Sequence, residues 1–305
     1  MGEEQHRYKS SGKFLITAEY LILRGAKGLA LPLKHGQTLS IENNNSNIVH
    51  WNSKVFNETW FETRMNVDDF NILSCTDEEV AKSLQLIFRQ TRILNPAFLD
   101  SGAESTITAD FNLAWGLGSS STLINNIASW ARVDPYMLLE KTFGGSGYDI
   151  ACALAKGPIT YQLKDGVRIV EDVEFNPAFS KNIFFVYLGK KVNSRTGMIY
   201  FKEKAVHTDE DVEEINLITQ DIILSQDLIM FEEFVNWHEN NLSRILQKPT
   251  IKETNFPDYP YSIKSMGAWG GDFVLVTGEN LDQVKKYFFA KGLDTIVSYH
   301  DIVLS

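Results

Sequence analysis

The chain has 305 residues, 44% of them hydrophobic and 22% charged, with 29 Lys and Arg against 39 Asp and Glu for a formal net charge of −10. This is ordinary globular composition at a length that suggests about two domains, and it excludes a disordered chain, a collagen and a coiled coil. Such acidity also argues against a general nucleic-acid binder or a protein drawn to anionic membranes.

Cys75 and Cys152 stand apart, in no Cys-x-x-Cys pair, which points away from a disulfide framework or a thiolate zinc site. Residues 1–11 are polar and charged, unlike a secretory signal, and no apolar run reaches the roughly 18 residues of a membrane span. A soluble cytoplasmic protein is the expectation.

The first third reads as strands. Lys13–Leu23 is rich in Phe, Leu, Ile and Tyr, and Thr38–Glu42, Asn47–Asn52 and Val55–Arg64 follow between Asn, Ser and Gly clusters. Over Thr76–Leu94 the period changes, with Val80, Leu84, Ile87 and Phe88 on one helical face. Ser105–Leu113 alternates again as a half-buried strand. A glycine-serine loop, Gly116–Ser121, leads into a helix over Thr122–Arg132. Asp134-Pro135 reads as an N-cap and first helical proline for Tyr136–Thr142. Tyr148–Ala155 is a further helix, and Ile159–Leu163 and Val167–Asp172 are strands.

Asn176-Pro177 marks the expected domain boundary, giving domains 1–176 and 177–305. Beyond it lie a strand over Ile183–Leu188, helical pattern from Arg195 to Leu246 with breaks near His207 and Ser225, and an irregular Lys248–Pro260. A strand over Phe273–Thr277, a helix over Leu281–Lys291 and a strand over Thr295–Leu304 complete the chain. Strands and helices mix without a regular βαβ repeat, which favours an α+β fold. Met230, Phe231, Phe234 and Trp237 lie at helical spacing and read as core, and none of the six histidines pairs at metal-ligand spacing.

Three segments carry chemistry. Trp115-Gly116-Leu117-Gly118-Ser119-Ser120-Ser121 follows a strand and opens a helix. The first turn of a helix exposes backbone N–H groups at the positive end of its dipole, the glycines allow close approach, and the serines add hydroxyls, so the loop suits an anion. A plain strand-to-helix turn with a Ser cap is the competing reading. The spacing matches neither a P-loop nor a dinucleotide-binding glycine motif. Gly12–Tyr20 places Lys13 and Glu19 at the two ends of an apolar strand, an even number of residues apart and so on one face, which an edge strand with solvated ends would also show. Gly267-Ala-Trp-Gly-Gly271 is a second point of close backbone approach, or simply a turn.

In series these segments resemble the GHMP kinases, a superfamily that includes galactokinase, homoserine kinase, mevalonate kinase and phosphomevalonate kinase. Ser11-Gly12-Lys13 with Ala18-Glu19-Tyr20 resembles the first family motif, Gly116–Ser121 the second, and Gly267–Gly271 the third, with Trp269 in place of a glycine. Ser146-Gly147-Tyr148-Asp149 is similar to the Ser-Gly-x-Asp motif of the mevalonate branch. The chain departs from the family at Ser11, Ala18, Trp115 and Trp269, and lacks the usual proline before Gly116.

The resemblance implies a two-domain α+β fold, with an N-terminal domain like domain 2 of ribosomal protein S5 and a ferredoxin-like C-terminal domain. It implies ATP and Mg²⁺ as cofactors and a small-molecule acceptor, most directly mevalonate, with phosphomevalonate as the alternative. It makes Lys13 and Asp149 catalytic, although a helix N-cap is another role for Asp149. Trp115, Gly116, Leu117, Gly118, Ser119, Ser120 and Ser121 would bind ATP. Ser120 and Glu140 would hold the metal, although Glu140 lies closer to Asp149 than the family acid does. Glu19, Tyr20, Ser146, Ser194, Arg195, Gly267, Gly270 and Gly271 would bind substrate. No nucleic acid or membrane partner is expected, and a homodimer stays open. A GHMP-like sensor without turnover is the reading from another class, favoured if Trp115 and Trp269 obstruct the nucleotide.

Overall fold

The structure, a computed structural model, describes residues 6–190, 194–267, 269 and 271–304, the side chains of 194–196 excepted. The chain forms two compact units that interleave in sequence. One comprises Met1–Gly12, His35–Leu113 and Leu117–Leu154, and the other Lys13–Lys34, Ala114–Gly116 and Ala155–Ser305. Residues 155–176, N-terminal to the expected boundary at Asn176, therefore belong to the second unit.

In chain order the first half contains β1 (His6–Leu15), β2 (Gly28–Asn43), β3 (Ile48–Val55), β4 (Glu58–Asn66), β5 (Ile72–Cys75), α1 (Glu78–Leu94) and β6 (Ala103–Ala109). Next come α2 (Ser119–Ala131), α3 (Pro135–Lys141), α4 (Tyr148–Leu154), β7 (Ile159–Lys164) and β8 (Val167–Asp172). The remainder is β9 (Ile183–Tyr187), α5 (Ser194–Lys204), α6 (Asp209–Leu224), α7 (Leu228–Leu246), α8 (Ile251–Asn255), β10 (Ile263–Ser265), β11 (Phe273–Thr277), α9 (Leu281–Phe289), β12 (Ile296–Ser298) and α10 (Tyr299–Ile302).

The first unit is a sheet with helices on it. Its strands run β5-β4-β3-β6-β2, with β3 parallel to β6 and the other pairs antiparallel. Asp77 caps α1 by accepting from the Glu79 and Val80 N–H groups, and Ala81, Leu84, Ile87 and Phe88 form its buried stripe. These side chains join Trp51, Phe61 and Phe70 from the sheet side and Ile124, Ile127 and Leu138 from α2 and α3 in one core. The Asp134 cap and the first-position Pro135 of α3 occur as the sequence predicts.

The second unit contains the antiparallel ribbon of β2 (at Gly28–Ala30), β7 and β8, and a separate sheet in the order β10-β11-β9-β12. Helices connect β9 to β10, β10 and β11 follow one another, and α9 connects β11 to β12. That is the β-α-β-β-α-β succession of a ferredoxin-like unit. Phe184, Val186, Val274 and Val276 of its two central strands pack on Ile251, Val284 and Phe288.

Four expectations need correction. The strand expected over Lys13–Leu23 ends at Leu15. Ala18 and Tyr20 have positive φ, and a 3₁₀ turn follows at Leu21–Arg24, so alternation cannot place Lys13 and Glu19 on one face. The irregular Lys248–Pro260 contains α8, opened by a capping box between Thr250 and Glu253. Thr295–Leu304 is the short β12 followed by α10, because Ser298 caps a helical turn through the Asp301 N–H. Phe231 is core, whereas Trp237 is 49% and Met230 38% exposed.

Candidate active site

The glycine-serine loop takes the conformation that its composition suggests. Gly116 (φ 68) and Gly118 (φ 92) are left-handed, and Gly118 is the N-cap of the 13-residue α2 without a side-chain cap. Gly118 has no side chain with which to cap the first N–H groups of α2, a feature that suits an anion site. The helix begins at Ser119, three residues earlier than the sequence suggested, so Ser119, Ser120 and Ser121 form its first turn. Ser120 is exposed and Ser121 buried.

Buried hydrogen bonds fix α2 on its sheet. Ser10 Oγ donates to Asn126 Oδ1 (2.7 Å), Asn125 Nδ2 donates to Ser10 Oγ (2.8 Å), and Asn126 Nδ2 donates to the Gln37 carbonyl (3.1 Å). Thr122 Oγ1 donates to Gln37 Oε1 (2.7 Å). Gly12 lets the first motif approach the second. A Cβ there would lie 3.0 Å from the Leu117 carbonyl oxygen and 3.1 Å from that of His35. Asp149 is half-buried in the first turn of α4, which packs on α2, and it follows Gly147 (φ 89) rather than occupying the N-cap itself. Ser146 is buried, and its Oγ accepts from the Tyr148 N–H at 3.5 Å. Glu140 is exposed on α3. Among the described residues no three His, Cys, Asp or Glu side chains form a metal-holding group.

The second unit holds the remaining motif residues. Lys13 stands half-buried on β1. Trp115 packs edge-on against Phe273 (6.0 Å, 89°) and tilted against Tyr187 (6.5 Å), whose hydroxyl donates to the Ala114 carbonyl (3.3 Å). Asp272 presses on the loop's first glycine, since a Cβ on Gly116 would lie 1.8 Å from Asp272 Oδ2. Burial, with a smaller contribution from the Asp272 charge, raises the Tyr187 phenol above its usual value.

The first and third motifs also meet within this unit. The Trp269 N–H donates to the Tyr20 hydroxyl (2.7 Å), and Trp269 Nε1 donates to the Pro249 carbonyl (3.1 Å). Tyr20 stacks on Phe201 (5.4 Å, 14°). Gly267 is left-handed (φ 68) and Gly271 is buried, while Gly270 lies outside the described residues. Ser194 and Arg195 open α5, and their side chains lie outside the described residues.

Glu19 is where sequence reasoning fell short. Its carboxyl is 3% exposed and accepts from Lys264 Nζ, and Lys264 Nζ lies 3.7 Å from Glu239 Oε1. His238 Nε2 lies 3.5 Å from Glu19 Oε2 and accepts from the Ala18 N–H (2.9 Å). Burial raises the Glu19 and Glu239 carboxyls, the latter to about 7, and holds His238 well below its usual value. Here Glu19 is a buried ion-pair partner of Lys264. Nothing in the spacing of Glu19, His238, Glu239 and Lys264 marks them as neighbours.

Comparison with solved structures places this architecture. Methanococcus jannaschii mevalonate kinase superposes with a TM-score of 0.72 at 15% identity, over 99% of each chain. Streptococcus pneumoniae phosphomevalonate kinase, in complex with phosphomevalonate and AMPPNP, gives 0.69 at 14% identity over 96% of this chain and 99% of that one. Lactococcus lactis galactokinase, complexed with galactose, gives 0.69 at 13% identity over 99% and 94%.

The chain has the GHMP kinase fold.

The same fold is shared with mevalonate diphosphate decarboxylase from Staphylococcus aureus (TM-score 0.62, 13% identity). No protein-family model matches the chain, and no curated protein matches it by sequence. No helix is long and apolar enough to cross a membrane among the described residues.

Proposed function

We propose that the protein is an ATP- and Mg²⁺-dependent small-molecule kinase that phosphorylates a hydroxyl group, with mevalonate as the acceptor. One observation carries the reading: a turn with Gly116 and Gly118 both left-handed opens a 13-residue helix whose N-cap has no side chain, with the Gly12 backbone pressed against Leu117. The residues present fit a polyphosphate, because the N–H groups of the first turn and the exposed Ser120 offer donors and a hard oxygen. Bound Mg-ATP would supply the transferable phosphoryl group and an electrophilic phosphorus.

The chain's own residues do the rest. Asp149 accepts or orients the proton of the acceptor hydroxyl. Lys13 contributes positive charge toward the developing alkoxide and the transferring group. Gly118 to Ser121 orient the phosphates by backbone donation, and Ser120 is the metal-side hydroxyl. Glu140 is the acidic metal partner in this reading. Tyr20, Ser146, Ser194, Arg195 and the glycines of the third motif shape the acceptor site.

Phosphomevalonate is the second reading, because Gly270-Gly271-Asp272 and Glu19-Tyr20 resemble the phosphomevalonate kinase motifs more than those of mevalonate kinase. A sensor without turnover is supported less. The Trp115 ring is occupied by Phe273 and Tyr187, and the Trp269 indole N–H by Pro249. A coupled ADP-release assay with Mg-ATP against mevalonate, phosphomevalonate, homoserine and simple sugars tests the proposal. Release with mevalonate is expected. Release with a sugar alone sinks the mevalonate-branch reading, and ATP binding without release on any acceptor supports the sensor.

A further inference from the structure

The turn that carries Tyr20 is held in an unfavourable backbone conformation. Ala18 (φ 67) and Tyr20 (φ 64) both have positive φ without being glycine, a conformation that persists only where surroundings enforce it. What enforces it here is polar and buried. The Ala18 N–H donates to His238 Nε2, so His238 is neutral with its proton on Nδ1. Glu19, between the two strained residues, is tied to Lys264, which also donates to the Ser265 carbonyl (2.9 Å). Glu239 stands on the far side of that ammonium.

The charges do not balance. One lysine lies between two carboxyl groups, and the charged or titratable side chains facing it are Glu19, Glu239 and His238. Lys264 and His238 are fully buried, and Glu19 and Glu239 nearly so. Among the described residues Glu19 Oε2 and His238 Nδ1 have no hydrogen-bond partner. Two carboxylates and one ammonium in such a place favour one carboxyl keeping its proton. A stable core alone is better served by apolar side chains of the same volume.

We propose that Lys264 and Glu239 are positioning residues that act through Glu19 to hold the Ala18–Tyr20 turn, and with it the Tyr20 hydroxyl and the Trp269 backbone, in acceptor-binding geometry. The acceptor clause rests on the kinase reading, whereas the positioning of the turn does not. Tyr20 is the link, since its hydroxyl receives the Trp269 N–H and so joins the first motif to the third.

Amide hydrogen exchange at Ala18 and Trp269 and steady-state kinetics, measured together on wild type and variants, test this. Lys264→Met is expected to speed exchange at both amides roughly tenfold or more, and to raise acceptor KM by a similar factor with a smaller change in kcat. Glu239→Gln is expected to keep both amides protected and to remove the pH dependence of that protection between about pH 5 and about pH 8. If Lys264→Met does not fold, the charge-free combination Glu19→Gln, Lys264→Met, Glu239→Gln replaces it, with the same fast exchange expected. A folded charge-free variant with wild-type exchange at Ala18 and Trp269 overturns the proposal. A wild-type protein without turnover overturns the kinase reading, and the exchange result then still decides the positioning.

Discussion

Replacing Glu239 with Gln probes the buried cluster through the pH dependence of stability. Burial moves this carboxyl from 4.5 to about 7, against the smaller opposing effect of Lys264. A displacement of that size corresponds to about 3 kcal/mol between the two protonation states. The sign follows from linkage. The folded state holds a proton that the unfolded state has released, so the contribution is fully present below 4.5 and is lost as pH rises through about 7. Between about pH 5 and about pH 8 wild type should lose on the order of 2–3 kcal/mol that the glutamine variant does not. His238 works in the opposite sense, its contribution being lost as pH falls below 6.5. His238 and the raised Glu19 remain in both proteins, so the difference between the curves reports mainly Glu239. Urea unfolding followed by tryptophan fluorescence at a series of pH values measures it. The gap between midpoints should widen by roughly 1 M for a slope of about 3 kcal/mol/M. Parallel midpoints across the range would refute the reasoning, because they would mean that Glu239 is ionised and solvated throughout.

Other outcomes follow from the same geometry. Asp149→Asn and Lys13→Met should each fold as wild type does, judged by circular dichroism, yet lose turnover by roughly a hundredfold or more. Near-wild-type turnover in either variant removes the role assigned to that residue. Gly12→Ala puts a methyl group 3.0 Å from the Leu117 oxygen, so it should displace the glycine loop. Titration calorimetry should show weakened Mg-ATP binding, by about tenfold if the displacement costs about 1.4 kcal/mol. Mg-ATP at about a hundred times its dissociation constant should stabilise the protein by about 2.7 kcal/mol, seen as a rise in melting temperature. An unchanged melting temperature would count against any nucleotide site.

Much of the fold was legible because its signals are local. The stripe on α1, the Asp134-Pro135 start of α3 and the glycine-serine loop each need only a few neighbouring residues to be read. The errors arose where an element ends for a reason outside its own pattern. Apolar residues continue past Leu15, but the backbone turns at Ala18 and Tyr20, neither of which announces a positive φ as glycine would. Thr250-Ile-Lys-Glu253 is a readable capping box, obscured by the prolines around it. Ser298 ends β12 early by capping α10.

The candidate site divides in the same way. Residues within a motif were found together, and Gly12 against Leu117 gives that resemblance a steric reason. The partners of Glu19 were invisible because charged residues read as surface, and only the packing of α7 on β10 buries Glu239 and His238 against Lys264. Asp272 against Gly116 was equally hidden, since the contact joins segments far apart in sequence. The net charge of −10 does not oppose the proposed phosphate site, whose donors around Gly118 would be backbone groups rather than cations.

Phosphoryl transfer itself can be observed directly by phosphorus NMR of the protein with Mg-ATP and mevalonate. The predicted result is loss of the γ-phosphate resonance of ATP with growth of a phosphomonoester resonance coupled to the acceptor carbon. A spectrum in which ATP stays intact with every acceptor offered, or yields only inorganic phosphate, contradicts the assignment of this chain as a small-molecule kinase.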